Sequence, residues 1–356
     1  MEVDKLQLGE FIANKRTTLY LNHTCPHVSL KKERFICIDA DEEHEAKKVK
    51  IDDLRRMVVV GRFTNIDTEV LYRLMIHHIQ IDFLDIKGNP QGMCLATNYD
   101  DGDFYMGVQQ IFRGTPAALS FAKEVIISKI ANCKEVIRRK LIDSEHKEEV
   151  NWKALYQQVI KAKDVNNPLG AEGIAAKTYF DLWNGITKDF PWSGRMLHPA
   201  IGEINYILSF GYNLLRNRLS SSMRTYGINP RVGYFHAVRG RHCALASDLM
   251  EQFRPWVDAT VLKIVRKGII HKSDFILDAK TNRVTKLQPG VFQTIVKYFE
   301  EMFNSMYTTY QGQGDHWVKC YESLNDLLDD CAINYGNYLK GIARPCTWRL
   351  VKCNIT

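Results

Sequence analysis

The sequence predicts an α+β multidomain protein: a small β-rich N-terminal domain with one helix over residues 1–100, then a larger all-α domain over residues 104–356. Three observations carry this. Short runs of β-branched and aromatic residues crowd the first hundred positions and thin out afterwards. Beyond them, apolar residues recur at helical spacing over long stretches. Between the two regions, residues 98–102 ("NYDDG") are polar and end in glycine, a boundary signal.

In the first region, residues 16–21, 34–38 and 57–60 read as strands separated by polar breaks. Residues 67–78 read as a helix, with Asp67 as its cap and Val70, Leu71, Leu74 and Met75 at helical spacing. Residues 79–84 form a further strand, closed by the turn signal Lys87-Gly88-Asn89-Pro90. In the second region, helices are expected over 115–139, 151–163, 168–183, 202–226, 244–253 and 291–307. Two stretches interrupt them: 271–285, where "DAKTNR" fits the turn of a short hairpin, and 311–315 ("QGQGD"), a loop.

Composition bounds the class. Hydrophobic residues make up 45% of the 356 and charged residues 25%, as in a soluble globular protein with a substantial core. No apolar run reaches bilayer-crossing length. The start, "MEVDKLQLGEF", lacks the basic-then-apolar order of a secretory signal, so a cytoplasmic location is expected. The nine cysteines contain no Cys-x-x-Cys pair; reduced thiols are expected rather than a structural zinc site.

Charge is unevenly spread. Residues 1–100 carry 14 Lys and Arg against 16 Asp and Glu, whereas the remainder carries 34 against 25. Between 191 and 242 the only cations are seven arginines (Arg195, Arg216, Arg218, Arg224, Arg231, Arg239 and Arg241), with Glu203 the one acid. A solvated basic face is the ordinary use of such a run. The exclusive use of arginine, whose planar fork matches phosphate oxygens, together with interleaved Tyr206, Tyr212 and Tyr226, points toward nucleic acid.

Three places carry candidate chemistry. Glu172 lies in "NNPLGAEGIAAKTYF", where Asn167 fits a cap, Pro168 the first helical position, and small neighbours leave the carboxylate accessible. Taken alone, it reads as an acid complementing the helix dipole. His236 precedes Arg239-Gly240-Arg241; a lone histidine is more often a hydrogen-bonded structural residue than a ligand. Asp248 and Glu251, three apart, share one helix face. They form either a solvated acidic face paired with Arg254 or a cation site, with Leu245, Leu249 and Phe253 as the buried stripe. Taken together, the carboxylates and the imidazole suit Mg²⁺ or Mn²⁺, able to act on a phosphodiester. No phosphate-binding P-loop, nucleophile elbow or dinucleotide fingerprint is present.

"GAEGIAAKTYF" (170–180), "NYILSFGYNLL" (205–215) and "GINPRVGYFHAVRGRHCALASDLMEQFRPWVD" (227–258) resemble the CRISPR-associated adaptation integrase, the universal metal-dependent endonuclease/integrase subunit of CRISPR systems. "TLYL" (18–21), the stretch 58–85 and "GNPQG" (88–92) resemble its β-domain, so the likeness runs through nearly the whole chain. It implies Glu172, His236 and Glu251 as metal ligands, with Asp248 as a supporting or second catalytic acid. Arg254 joins the arginines expected on DNA. The resemblance further implies spacer acquisition in a prokaryotic cytoplasm: a 3′ hydroxyl of a short double-stranded DNA is joined to the CRISPR repeat by transesterification. The working form it implies is a homodimer, built through the N-terminal domain, with a small ferredoxin-like adaptation subunit. Alternatives are an integrase of a related self-mobilising transposon, a stand-alone branched-DNA nuclease, or an inactive DNA-binding scaffold.

Overall fold

Unbroken apolar sequence, rather than alternation, marks the strand at the centre of the N-terminal unit. Met57, Val58 and Val59 are buried in succession, as in a parallel strand covered on both faces. The computed structural model describes residues 17–21, 27–39, 46–61, 64–77, 79–85, 90–95, 102–140, 150–163, 166–185, 187, 189–196, 199–236, 242–313, 316–343 and 346–350. The chain divides into two compact units, Met1–Tyr99 and Asp100–Thr356.

The first unit contains β1 (Thr17–Leu21), β2 (Val28–Lys31), β3 (Phe35–Ile38), β4 (Lys47–Lys50), β5 (Leu54–Val60), α1 (Thr68–Ile76), β6 (Gln80–Leu84) and β7 (Pro90–Cys94). One sheet has the order β1-β5-β6-β7, parallel except for β7; the other is an antiparallel β2-β3-β4 meander. The β5–α1–β6 crossover is what allows neighbouring strands to run parallel. Val28 and Ile36 share one core with Val70 and Leu74 of α1 and with Leu19, Met57 and Ile81. Asp67 stands at the N-cap of α1, but its carboxylate bonds His27 Nε2 at 3.0 Å and not the helix backbone. Pro90 opens the edge strand β7, a position that tolerates its missing N–H. The expected turn residues 87–89 and boundary residues 98–101 lie outside the described residues.

The second unit contains α2 (Gly102–Phe112), α3 (Pro116–Lys140), α4 (Trp152–Lys161), α5 (Asn166–Asp181), α6 (Glu203–Thr225), α7 (Ala244–Met250) and α8 (Arg254–Arg266). After these come β8 (Phe275–Leu277), β9 (Val284–Leu287), α9 (Val291–Asn304), β10 (Met306–Gln313), β11 (His316–Ser323), α10 (Leu324–Leu339) and β12 (Thr347–Arg349). The expected all-α architecture is therefore corrected. β8–β9 form a hairpin and β11-β10-β12 a three-stranded antiparallel sheet. The loop expected at "QGQGD" is corrected at its start: Gln311–Gln313 continue β10 and pair with β11, Gln311 and Gly312 also with β12, while residues 314 and 315 lie outside the described residues. Aromatic and β-branched residues in "MYTTYQGQ" and "HWVKCYES" carry the strand signal. The helix expected over 244–253 becomes α7 followed by a tight 3-10 turn, Glu251–Phe253. Pro255, in the first turn of α8, starts a further helix.

α3 is the axis of this unit. Its Phe121, Val125, Cys133 and Val136 belong to the main core. Its Ile126, Ile127, Ile130 and Ala131 build a second core with Leu155, Tyr156 and Val159 of α4 and Ala171 and Ala175 of α5. A helix apolar on several sides is central, and its polar groups must find partners inside the protein. Asn132 donates to Gln252 O (2.8 Å) and Trp348 O (3.0 Å) and accepts from Leu350 N (2.7 Å). Ser128 donates to Thr347 Oγ1 (2.8 Å) and accepts from Arg349 Nε (3.1 Å). Gln252 Oε1 in turn accepts from Trp348 N (2.9 Å). These bonds tie β12 and the turn Glu251–Phe253 to the middle of α3.

Close helix approach has its own requirement. A Cβ on Gly211 of α6 would lie 2.5 Å from the Phe299 ring and 2.7 Å from Val257, so the crossing with α8 and α9 needs glycine there. Nearby, Asp258 of α8 is buried and accepts a hydrogen bond from the Tyr212 hydroxyl. Burial raises its carboxyl to about 6, with Tyr212 and Lys129 offsetting part of the rise. The folded chain then keeps a proton that the unfolded chain gives up near pH 4, so this group removes stability as pH climbs from about 4 to about 6. Asp258→Asn is expected to flatten the stability–pH profile in that window, by on the order of 3 kcal/mol relative to wild type. Urea titrations at several pH values read this directly; parallel profiles for the two proteins count against it.

Candidate functional site

α5 begins at Asn166, so Asn167 is already inside the helix and not its cap. Glu172 consequently lies beyond the first turn, where the dipole effect has faded. Ala171 and Ala175 face the second core, while Gly170, Gly173 and Ile174 are exposed. A Cβ added at Gly170 or Gly173 would meet nothing within 4 Å. Gly170 and Gly173 therefore keep open the surface beside Glu172, while Ala171 and Ala175 pack the opposite side of the helix against the second core.

His236 is held by the buried carboxylate of Asp248. Asp248 Oδ2 accepts from the backbone N–H of Tyr234 (2.7 Å) and Phe235 (3.2 Å), and Oδ1 from that of His236 (2.9 Å). Oδ1 also lies 2.7 Å from His236 Nδ1. Gly233 makes this wrap possible: a Cβ there would stand 2.8 Å from both Asp248 Oδ2 and Ala244 Cβ. With its carboxylate closed in by these donors and 0% exposed, Asp248 is a positioning residue. It orients the imidazole so that Nε2 points toward Glu251 Oε1, 3.8 Å away.

Glu251 opens the 3-10 turn that Asn132 and Trp348 pin to α3. One helical turn before Asn132, Lys129 reaches the same place. Its ammonium donates to Glu251 Oε2 at 2.6 Å and also to Glu172 Oε1. Arg254 Nε lies 2.9 Å from Glu251 Oε1, and its guanidinium covers the Tyr212 ring at 4.7 Å. Leu245, Leu249 and Phe253 form the buried stripe behind. Side-chain exposure rises outward, from Glu251 (4%) and Lys129 (11%) to Glu172 (21%) and His236 (30%). Among the described residues, no three His, Cys, Asp or Glu side chains stand as a ready-made metal cage; the lysine ammonium sits between the two glutamates.

Electrostatics follow this geometry. Burial alone would raise Glu251, yet Arg254, Lys129 and His236 outweigh it and hold the carboxyl at about 2. Burial would lower Lys129, but the two carboxylates raise it above an ordinary lysine. Burial works the same way on His236; its bond to Asp248 and the charge on Glu251 raise it above the usual histidine value. Asp248 is raised by burial, offset in part by its donors.

The arginines divide. Arg218 is buried, paired with Glu300, bonded to Asn325 and packed over Phe303, so it leaves the set expected on phosphate. Arg195 is spent internally on Met196 O, Asn205 Oδ1 and Ser209 Oγ. Arg216 is half-buried against Asn213, and Arg224 half-buried near Cys243. Arg231 is exposed, and Arg254 belongs to the glutamate cluster. Arg239 and Arg241 lie outside the described residues. The residue that sequence reasoning missed is Lys129. Its signal was present: a single lysine within the apolar run "VIISKIANC" (125–133) must find an anionic partner inside the fold.

The fold and the cluster define an α+β protein whose helical unit carries a carboxylate–imidazole centre backed by a third carboxylate. The chain belongs to the family described as CRISPR associated protein Cas1, whose sequence model matches residues 19–301. It is 25% identical over 287 residues to the CRISPR-associated endonuclease Cas1 1 of Thermodesulfovibrio yellowstonii, across 78% of this chain and 89% of that one. Its fold is similar to a casposase bound to integration product, with a TM-score of 0.74, 22% identity and 95% of each chain covered. It is also similar to a chain of a Cas6-RT-Cas1–Cas2 complex, with a TM-score of 0.69, 21% identity, and 92% of this chain against 35% of that one. No described helix is long and apolar enough to cross a membrane.

Gly233→Ala is expected to destabilise the protein by roughly 1–3 kcal/mol, because the added methyl pushes on the Asp248 carboxylate and on Ala244. Denaturant unfolding measures this. An unchanged midpoint would mean that the segment yields at no cost.

Proposed function

We propose that this chain is a metal-dependent DNA endonuclease/integrase of CRISPR adaptation, joining 3′ ends of short double-stranded DNA to the repeat. The observation that carries the reading is that three separate segments bring Glu172, Glu251 and His236 into one connected cluster, Lys129 bridging the two glutamates and His236 Nε2 standing 3.8 Å from Glu251 Oε1, in a chain of this family. The donor set fits a divalent cation. Two carboxylates already close around a cation, and the imidazole is tied at Nδ1, leaving Nε2 toward Glu251. Glu172, His236 and Glu251 would hold Mg²⁺ or Mn²⁺, which when bound supplies Lewis-acid polarisation of a phosphodiester.

The chain's own residues do the rest. Asp248 fixes the imidazole. Lys129 balances the two glutamates, and Arg254, beside the nearly buried Glu251, sets a positive field where phosphate charge develops. Glu172 and His236, the outermost members, face incoming DNA. The nucleophile is the DNA 3′ hydroxyl: a new phosphodiester bond forms as the target strand's ester bond breaks, and the displaced 3′ oxygen takes up a proton. The protein therefore needs positioning and charge stabilisation but no serine or cysteine nucleophile. Dimerisation through the N-terminal unit and a small ferredoxin-like partner belong to this reading. It is supported by the likeness to a chain solved in a complex with Cas2. A transposon-type integrase is the second reading, favoured by the casposase likeness, which concerns the fold.

Glu172→Ala is expected to abolish strand transfer into a supercoiled repeat plasmid while DNA binding in a gel-shift assay persists. Integration at the wild-type level would remove Glu172 from the chemistry. Arg231→Ala is expected to weaken DNA binding about equally for all sequences and to lower the slope of log K against log salt by about 1. An unaltered slope means that Arg231 touches no phosphate. Plasmids with and without a repeat, assayed with and without the small partner, separate the two readings.

A further inference from the structure

We propose that Lys129 is a built-in placeholder cation: its ammonium holds Glu172 and Glu251 together before a divalent ion arrives, and the ion must displace it to bind. The inference rests on the reading of Glu172, His236 and Glu251 as metal ligands and adds a competitor to it. Three observations lead here. Lys129 donates to both glutamates at once, so its nitrogen occupies the point on which they converge. Glu251 is nearly buried and cannot stay ionised there without positive neighbours. Arg254 already contributes one positive charge, so a divalent ion arriving beside a seated Lys129 would set four positive charges against two carboxylates. Displacement relieves that excess.

The lysine also has a way out. Glu172 and His236 leave the outer side of the cluster partly open to solvent. A lysine can keep its methylene stem packed while the ammonium swings into water. The stem leaves α3 between Ser128 and Ile130, both buried, so the helix itself need not move.

The same exchange gives the site a sensible resting state. Without a cation the two glutamates would repel and splay. With Lys129 between them they remain close to a geometry that an incoming ion can use, at the expense of affinity. Lys129 is thus a positioning residue that trades metal affinity for preorganisation.

The test uses full-length wild type, Lys129→Met and Glu172→Gln. Mn²⁺ binding is followed by electron paramagnetic resonance of the free ion, and thermal melting is recorded without metal and at saturating Mn²⁺. Lys129→Met is expected to bind Mn²⁺ at least about tenfold more tightly than wild type. It should melt lower than wild type without metal but close to it when saturated, because the lysine is already displaced in the loaded form. A simple structural counter-ion would lower both melting points and leave affinity unchanged; that pattern, or weaker binding, overturns the proposal. Should Lys129→Met fail to fold, wild type supplies the answer: amine acylation of Lys129, read by mass spectrometry, should rise several-fold on adding Mg²⁺. Unchanged labelling overturns the inference. If wild type binds Mn²⁺ and Glu172→Gln does not, while Lys129→Met matches wild type, the placeholder idea falls alone. If none of the three binds Mn²⁺, the metal reading falls and takes this one with it.

Discussion

A nearly buried glutamate at the end of a helix has to be neutralised, and much of the helical unit serves that requirement. Glu251 keeps its charge because Lys129 and Arg254 stand against it from opposite directions in the sequence. Removing water from a carboxylate is expensive, and an ion pair offsets the loss only when geometry is tight and the remaining polar groups are satisfied. The structure meets both conditions by pinning. Asn132 and Gln252 exchange bonds with the backbone at Trp348, so strand β12 clamps the turn carrying Glu251 onto the helix carrying Lys129. The short strand β12 thereby becomes part of the support for the centre.

The acids at 248 and 251 share a spacing but not a role. Asp248 is sealed from solvent and takes three backbone N–H groups and the imidazole; it has nothing left for a ligand. Glu251 is held mainly by the cations Lys129 and Arg254, partners that another cation can replace. Burial and donor type distinguish a carboxylate closed off by backbone donors from one balanced by neighbouring charges. The order of exposure, with Glu172 and His236 outermost, gives the centre a direction: a carboxylate and an imidazole face outward, with the balancing charges behind them.

The arginine-only span shows how the same residue serves both folding and recognition. Arg218 is swallowed between α6 and α9, where Glu300 and Phe303 receive it. Arg195 braces the segment entering α6. Arg231 stays at the surface. A charge count sees equal members, whereas desolvation separates them, because a buried guanidinium has already committed its donors.

Periodicity and chemistry made a good part of this protein readable from its residues. The apolar spacing of α3, α6 and α9 marked helices to within a few residues, since an amphipathic or all-apolar helix writes its period into the chain. The residue types at 172, 236 and 251, in their motifs, pointed to an acid–imidazole centre. Other features left little local trace. β4 is "KKVK", a strand made by its neighbour rather than by its own propensity. β10 and β12 find each other across more than thirty residues, and Gln311 and Gly312 look like loop residues until β12 pairs with them. That Lys129 would stand between Glu172 and Glu251, forty-three and one hundred and twenty-two residues away, was decided only by packing. Sequence by itself determined that α1, α3 to α7 and α9 form, though not α2, α8 or α10, and which side chains can do acid, base or ligand chemistry, because both are properties of short stretches. Tertiary structure alone decided which charges are buried together and which arginines remain free, because desolvation and pairing depend on what the rest of the chain brings alongside.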